Sequence, residues 1–377
     1  MIQSRSPSSI PKRQLELGQP DLELNGIPIG FIPDVGYDGG SPQSMTSINA
    51  WLSGRGKSAT YGFYDQAAFG KIYKGEKILS IIDDLYNSGA ILEAAIMPTG
   101  GWGGFTLQDD SQARAVCQVM KKFTDQGIQV RLRFAHEVNW YVTTGEYASG
   151  QDQGVSEFIV AFEQVAKACK DIAPSVKMWY SPNAADLTVY EKYLPNMSMV
   201  SIIGVDFYPE EPYSATAQYF IDTLKPFHDK YTSDAKGGIK LAVAEAGTHV
   251  ANATLEDRIA WLKSITSDQV KQQLPNLVSI TWYNALRQSD VLQNAIGSDF
   301  RILDPSPQSD RALNNTAFLS LFPSISPPVP ASPPAPLPSP LSSSANSFGE
   351  AKPSVEKLGL LAALTLCFLG VTRFLHA

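Results

Sequence analysis

From Ile27 onward, short apolar runs alternate with longer stretches in which apolar residues recur every third or fourth position. Eight short runs stand out: Ile27–Pro33, Thr60–Tyr64, Leu92–Met97, Val130–Ala135, Val176–Tyr180, Ser201–Tyr208, Ile239–Ala244 and Val278–Tyr283. They are rich in β-branched and aromatic residues and mostly apolar at consecutive positions, the pattern of strands buried on both faces. The fourth run departs from it, with Arg131 and Arg133 on one face. The longer stretches include Ser111–Asp125, Val155–Ile172, Ala215–Tyr231 and Leu255–Gln273, which have the period of amphipathic helices. Asp109 and Asp110 stand where helix N-caps stand, and Gly127 and Gly237–Gly238 stand where helices end. Eight strand–helix repeats predict an α/β fold of the (β/α)8 TIM barrel class, which takes about 250 residues. An open doubly wound sheet is the alternative, but no glycine-rich phosphate loop follows the first run. The stretch Gly54-Arg55-Gly56-Lys57-Ser58 only imitates one, since Trp51 occupies the place of its first glycine.

The two ends of the chain break this rhythm. Residues 1–24 form a polar segment without the apolar stretch of a signal peptide. Residues 25–322 hold the barrel pattern and are expected to be the catalytic domain. Residues 323–357 are dominated by Ser, Pro and Ala, a composition that cannot bury a core and reads as an extended linker. Residues 358–377 are apolar apart from Arg373 and His376. Small residues, a polar spacer and an apolar tail make the pattern of a GPI-anchor signal, and a C-terminal membrane helix is the other reading. Asn-x-Ser/Thr sequons occur at Asn196, Asn252 and Asn314. An extracellular or cell-surface protein, membrane-attached through its tail, is therefore expected. Of three cysteines, Cys117 and Cys169 lie in neighbouring predicted helices, where a disulfide is one reading and two buried thiols the preferred one; Cys367 lies in the tail. The formal net charge of -7 disfavours a nucleic-acid partner. No cysteine or histidine spacing suits zinc, so neither metal nor cofactor is expected. A monomer is expected.

In a barrel of this class the site lies at the C-terminal ends of the strands. The runs end in Asp34, in Met97-Pro98-Thr99-Gly100-Gly101-Trp102, in His136-Glu137-Val138-Asn139-Trp140, in Ser181-Pro182-Asn183, in Asp206-Phe207-Tyr208, in Glu245, and in Trp282-Tyr283-Asn284. Carboxylates, amides and large aromatics suit sugars, whose hydroxyls exchange hydrogen bonds and whose apolar faces stack on rings. Glycosidic cleavage uses two carboxyl groups flanking the bond. Glu137 and Glu245 close the fourth and seventh runs and can face each other across the mouth. The acid must hold its proton near neutral pH, and burial against aromatics such as Trp140 would help Glu137 do so. His136, Asn139, Trp140, Trp102, Asn183, Asp206, Tyr208 and Trp282 are the candidate substrate-binding residues around them.

The stretches Arg131-Leu132-Arg133-Phe134-Ala135-His136-Glu137-Val138-Asn139, Trp179-Tyr180-Ser181-Pro182-Asn183, Ile203-Gly204-Val205-Asp206-Phe207-Tyr208 and Ala244-Glu245-Ala246-Gly247 resemble clan A glycoside hydrolases, most closely glycoside hydrolase family 26. The resemblance covers residues 25–322. It implies that Glu137 is the acid/base and Glu245 the nucleophile of a retaining enzyme acting on a β-linked polysaccharide or oligosaccharide, with β-1,4-mannan first. It implies further that His136 and Tyr208 flank the sugar at the cleaved bond and that Trp282 stacks beneath it. Family members carry Gly after the Asn of this block, where Trp140 stands here, so the loop after the fourth strand differs.

Overall fold

The computed structural model describes residues 21–323 apart from 37–39, 53, 148–150, 210–214, 233–237, 249–252, 288, 291–294, 297–298, 305–312 and 314. Most of the N-terminal segment, the linker, the apolar tail, Cys367 and the sequons at Asn252 and Asn314 lie outside the described residues. A short strand β1 (Glu23–Leu24) pairs antiparallel with β2 (Ile27–Pro33). The chain then runs α1 (Met45–Trp51), β3 (Thr60–Gln66), α2 (Glu76–Leu79), α3 (Ile82–Ser88), β4 (Ile91–Met97), α4 (Ser111–Thr124), β5 (Val130–Phe134), α5 (Val138–Thr144), α6 (Gln151–Ile172), β6 (Lys177–Tyr180), α7 (Leu187–Lys192), β7 (Ile202–Phe207), α8 (Ala217–Tyr231), β8 (Lys240–Ala246), α9 (Leu255–Ile265), α10 (Asp268–Gln273) and β9 (Leu277–Asn284). Each strand from β2 to β9 pairs in parallel with the next, and β9 pairs with β2, so the sheet closes into an eight-stranded (β/α)8 barrel.

The outward strand faces supply the main core. Ile27, Ile29 and Phe31 of β2, or Leu92, Ala94 and Ile96 of β4, pack among buried apolar residues of the helical layer. Many inward positions are small or polar and bond to one another, while Trp179 and Ile202 form a small apolar cluster there with Ala242 and Ala244. Thr60 meets Thr281 hydroxyl to hydroxyl at 2.6 Å, Thr281 donates to Glu93 at 2.6 Å, and Arg131 donates to Glu93 at 2.9 Å and to Ser279 at 2.6 Å. All but Arg131, which is partly buried, are buried, so each needs the partner it has. The two arginines that set the fourth run apart therefore point into the barrel. Space there is short: a Cβ on Gly204 would come within 1.7 Å of the Ala242 carbonyl oxygen.

Two local expectations are corrected. The helix expected over Leu255–Gln273 is two helices, because the Ser267 hydroxyl caps the Val270 N–H and restarts the chain as α10. Cys117 and Cys169 are not free thiols but form a disulfide with Cα atoms 4.9 Å apart. Helices α4 and α6 lie side by side, and the rotation of each turns its cysteine toward the other. Of the two expected caps, Asp109 accepts the Ser111 N–H at 3.0 Å, while Asp110 makes no side-chain cap.

Candidate active site

The fourth barrel strand, β5, ends in an abrupt turn. Ala135 and Glu137 both have φ of 49°, the left-handed region that residues with a Cβ seldom enter. Each such residue costs about 1–3 kcal/mol, so the surroundings must hold the turn in place. They do so through the backbone: the Ala135 N–H donates to the Ile96 carbonyl at 3.0 Å and the Glu137 N–H to the Ser181 carbonyl at 2.8 Å. Tyr147 donates to the His136 carbonyl at 2.8 Å. The turn keeps His136 and Glu137 at the mouth, each only 2% exposed. The His136 ring lies between Tyr64, with centroids 5.5 Å apart, and Tyr141, at 5.6 Å. His136 Nδ1 and Glu137 Oε1 are buried with no hydrogen-bond partner among the described residues.

Glu245 arrives by a different device. Between Val243 and Ala246, β8 carries one residue more than the facing stretch of β9, Ile280 to Trp282. Ala242 and Ala244 point inward, as strand alternation requires, and the extra residue lets Glu245 point inward as well. Bulges of this kind re-aim side chains beside active sites. One guanidinium then ties three strands together. Arg133 Nη2 donates to both oxygens of Asp206, at 2.7 and 2.6 Å, and to Glu245 Oε1 at 2.9 Å. The Tyr208 hydroxyl donates to Glu245 Oε2 at 3.0 Å, and the Tyr64 hydroxyl donates to Glu245 as well.

Three carboxyl groups thus share one buried cation, and they cannot all be charged alike. Burial pushes Glu137 up to about 8, reinforced by the nearby charge of Glu245. Burial acts on Glu245 in the same sense, but the charge of Arg133 and the hydrogen bonds from the Tyr64 hydroxyl and Arg133 outweigh it and hold Glu245 below the ordinary carboxylate range. Burial together with crowding by the two glutamates pushes Asp206 upward against the pull of Arg133. Burial and then the charge of Arg133 press His136 down to about 3, so its imidazole is neutral at physiological pH. One carboxyl keeps a proton at neutral pH and another gives its proton up, as an acid and a nucleophile require.

The other expected residues divide. Asp206 and Tyr208 stand at the centre. Asn139 locks the rim, donating to the Asn183 carbonyl at 3.0 Å and accepting the Asn183 N–H at 2.8 Å. Trp140 is 42% exposed on α5, so the aromatic cover expected from it over Glu137 comes instead from Tyr141, which hydrogen-bonds Glu137, and from Tyr147. Trp102 is not exposed in its loop: it is buried edge-on between Tyr147 and Phe158. Trp282 offers no face to a sugar either. It is fully buried on the outer side of β9, its indole N–H donating to the Phe300 carbonyl at 2.7 Å. Strand alternation is the reason: Thr281 points inward, so Trp282 points outward and Tyr283 takes the mouth. Tyr283 packs on Tyr208 with centroids 6.3 Å apart. Tyr64, Arg133, Tyr141 and Tyr283 were not among the expected site residues. Tyr64 carried a signal, since it closes the second apolar run.

Among the described residues, donor atoms of His136, Glu137 and Asp206 lie within 4.8 Å of one another, a spacing that could surround a cation. Both Asp206 oxygens are committed to Arg133, whose charge opposes a metal there. The same charge favours an acid–nucleophile pair.

No protein-family model matches the sequence, and no curated protein matches it either. Solved structures do. A Cellulomonas fimi endo-β-1,4-mannanase double mutant aligns with TM-score 0.54 at 15% identity, over 78% of this chain and 70% of that one. A fungal β-1,4-galactanase aligns with TM-score 0.53 at 15% identity, over 78% and 98%. A Croceicoccus marinus glucosidase aligns with TM-score 0.54 at 11% identity, over 81% and 68%. At such identities the likeness is one of architecture: this chain has the barrel fold on which a mannanase, a galactanase and a glucosidase are also built.

Proposed function

We propose that this protein is a retaining glycoside hydrolase that cuts β-linked polysaccharide within the chain, with β-1,4-mannan the first substrate to test. The observation that carries the reading is one pair of buried strand-end carboxyls driven apart in acidity, Glu137 upward and Glu245 downward. The fold shared with glycosidases supports it. In the first step the Glu245 carboxylate attacks the anomeric carbon, the glycosidic C–O bond breaks, and Glu137 passes its proton to the departing oxygen. In the second step water attacks the same carbon and gives a proton to Glu137, and the bond to Glu245 breaks. The net configuration is retained. The unpartnered Oε1 of Glu137 and Nδ1 of His136 are the polar atoms left to meet the glycosidic oxygen and a sugar hydroxyl. Tyr208 and Tyr283 supply aromatic edges to the same sugar.

The same reading has the enzyme working outside the cell. The disulfide suits an oxidising compartment. Asn196 is exposed, with its side chain accepting from Ser198, as an accessible sequon should be.

The test is a reducing-end assay on β-mannan, glucomannan, mixed-linkage glucan, β-1,3-glucan and xylans, beside Glu137→Gln and Glu245→Gln. Activity on one glycan, lost in both variants and giving products of retained anomeric configuration by NMR, is the expected result. Hydrolysis that survives Glu245→Gln would overturn the mechanism. Inversion would do the same.

A further inference from the structure

Phe69 is out of place by the ordinary rule for large apolar side chains. It is 61% exposed, in the loop that follows β3. Single exposed rings are common and need no explanation in themselves. This one, however, has a seat made for it. Its backbone N–H donates to the Thr99 carbonyl at 2.9 Å, prolonging the pairing of β3 and β4 beyond the barrel on the mouth side. Under the ring lies the loop Gly100-Gly101-Trp102-Gly103-Gly104. A Cβ on Gly103 would come within 2.5 Å of the Phe69 ring, and one on Gly100 within 3.3 Å of its Cβ. Gly100 and Gly101 have φ of 81° and 128°, conformations that side chains other than hydrogen rarely adopt. The Cδ2–Cε2 side of the phenyl ring lies against bare backbone, and most of the side chain is open to solvent.

The seat is also fixed to the catalytic turn. Trp102, in the middle of the glycine loop, is buried against Tyr147 with centroids 5.6 Å apart. Tyr147 donates to the carbonyl of His136, one residue before Glu137. On the other side, the strand that leads to Phe69 carries Tyr64, which bonds to Glu245. An exposed ring is thus held at a set place relative to both carboxyls.

We infer that Phe69 is a stacking platform for a sugar ring of the glycan lying beyond the sugar at the cleaved bond, on the β3–β4 side of the mouth. The inference rests on the glycan-cleaving function proposed above and adds a subsite to it. Phenylalanine has no polar group, so recognition is of a pyranose with an apolar C–H face, such as the face of a β-linked hexose that carries the axial hydrogens of C1, C3 and C5. The platform then selects for chain length and accounts for attack within a polymer.

The experiment uses the full chain with Phe69→Ala, Phe69→Trp and Gly103→Ala, each checked for native thermal unfolding. On the glycan found by the reducing-end panel, Phe69→Ala is expected to raise KM about tenfold with kcat changed less, and the effect should shrink as the oligosaccharide shortens. Gly103→Ala, which displaces the ring without removing it, should raise KM in the same direction, and Phe69→Trp should restore it. Equal KM for wild type and Phe69→Ala at every chain length would overturn the platform while leaving the hydrolase intact. If wild type cleaves nothing, affinity electrophoresis of Glu137→Gln in gels containing the same glycans decides. Retardation that Phe69→Ala abolishes supports the platform without catalysis. Retardation unaffected by it, or none at all, overturns it.

Discussion

Glu137 and Glu245 are the same residue type in one pocket, and their difference comes from neighbours alone. Glu245 has Arg133, Tyr208 and Tyr64 to stabilise its charge; Glu137 has Tyr141 and a buried setting. The rate–pH profile should therefore be bell-shaped, with an alkaline limb near 8 from Glu137 and an acidic limb below 4.5 from Glu245. Glu137→Gln should lower kcat/KM on polymer by about 10²-fold or more and abolish the alkaline limb. An aryl glycoside with a good leaving group, which needs no proton, should largely escape the loss in the first step. Tyr64→Phe removes one donor from Glu245, so its acidic limb should move to higher pH in the same assay. Stability follows with a definite sign. Between 4.5 and about 8 the folded chain keeps a proton on Glu137 that the unfolded chain has released, so stability must fall as pH rises through that window. Thermal unfolding at pH 4 and pH 8 checks this: Glu137→Gln should unfold later than wild type at pH 8 and about where wild type does at pH 4.

At the level of strands and helices, periodicity was enough to place all eight barrel strands, because each is short, rich in apolar residues and largely buried on both faces. Register was harder to read. A strand turns its side chains over at every step, so an error of one residue exchanges core for mouth. The resemblance put Trp282 beneath the sugar, but the register turns Trp282 into the outer core and Tyr283 toward the mouth. The bulge that aims Glu245 has no sequence signature, yet the residue itself was legible because it closes the seventh run. Trp102 misled for a related reason: its loop position was right, but a loop residue can serve as an anchor. Inside the barrel, Gly204 is a point with no room for a side chain. Gly204→Ala should cost about 3 kcal/mol or more by urea unfolding, since a methyl group would have to displace the Ala242 carbonyl. A cost below about 1 kcal/mol would mean that β7 and β8 can part there.

For the whole molecule, the disulfide joins two helices of the outer layer across a sequence separation of 52 residues, on elements other than those that carry the site residues. Its loss should act on stability alone. Cys117→Ala with Cys169→Ala should lower the free energy of unfolding by about 2–4 kcal/mol while kcat/KM stays within twofold. A large fall in activity in the folded double variant would show that α4 and α6 hold the β5 turn more tightly than backbone bonding implies. The barrel itself is completed in a different way, by the pairing of β9 with β2. That pairing joins the first barrel strand to the last, so the ring cannot shut during synthesis until Asn284 has left the ribosome. At about 5–20 residues per second, roughly 7–30 s pass between the emergence of Glu137 and that of Tyr283. Throughout that interval the strained turn at Ala135–Glu137 has no finished mouth above it, and the growing sheet has an open edge. The period of greatest danger for this protein is therefore set by translation speed. Slowing the ribosome after β5 should increase aggregation of the nascent chain, whereas slowing it before β2 should not.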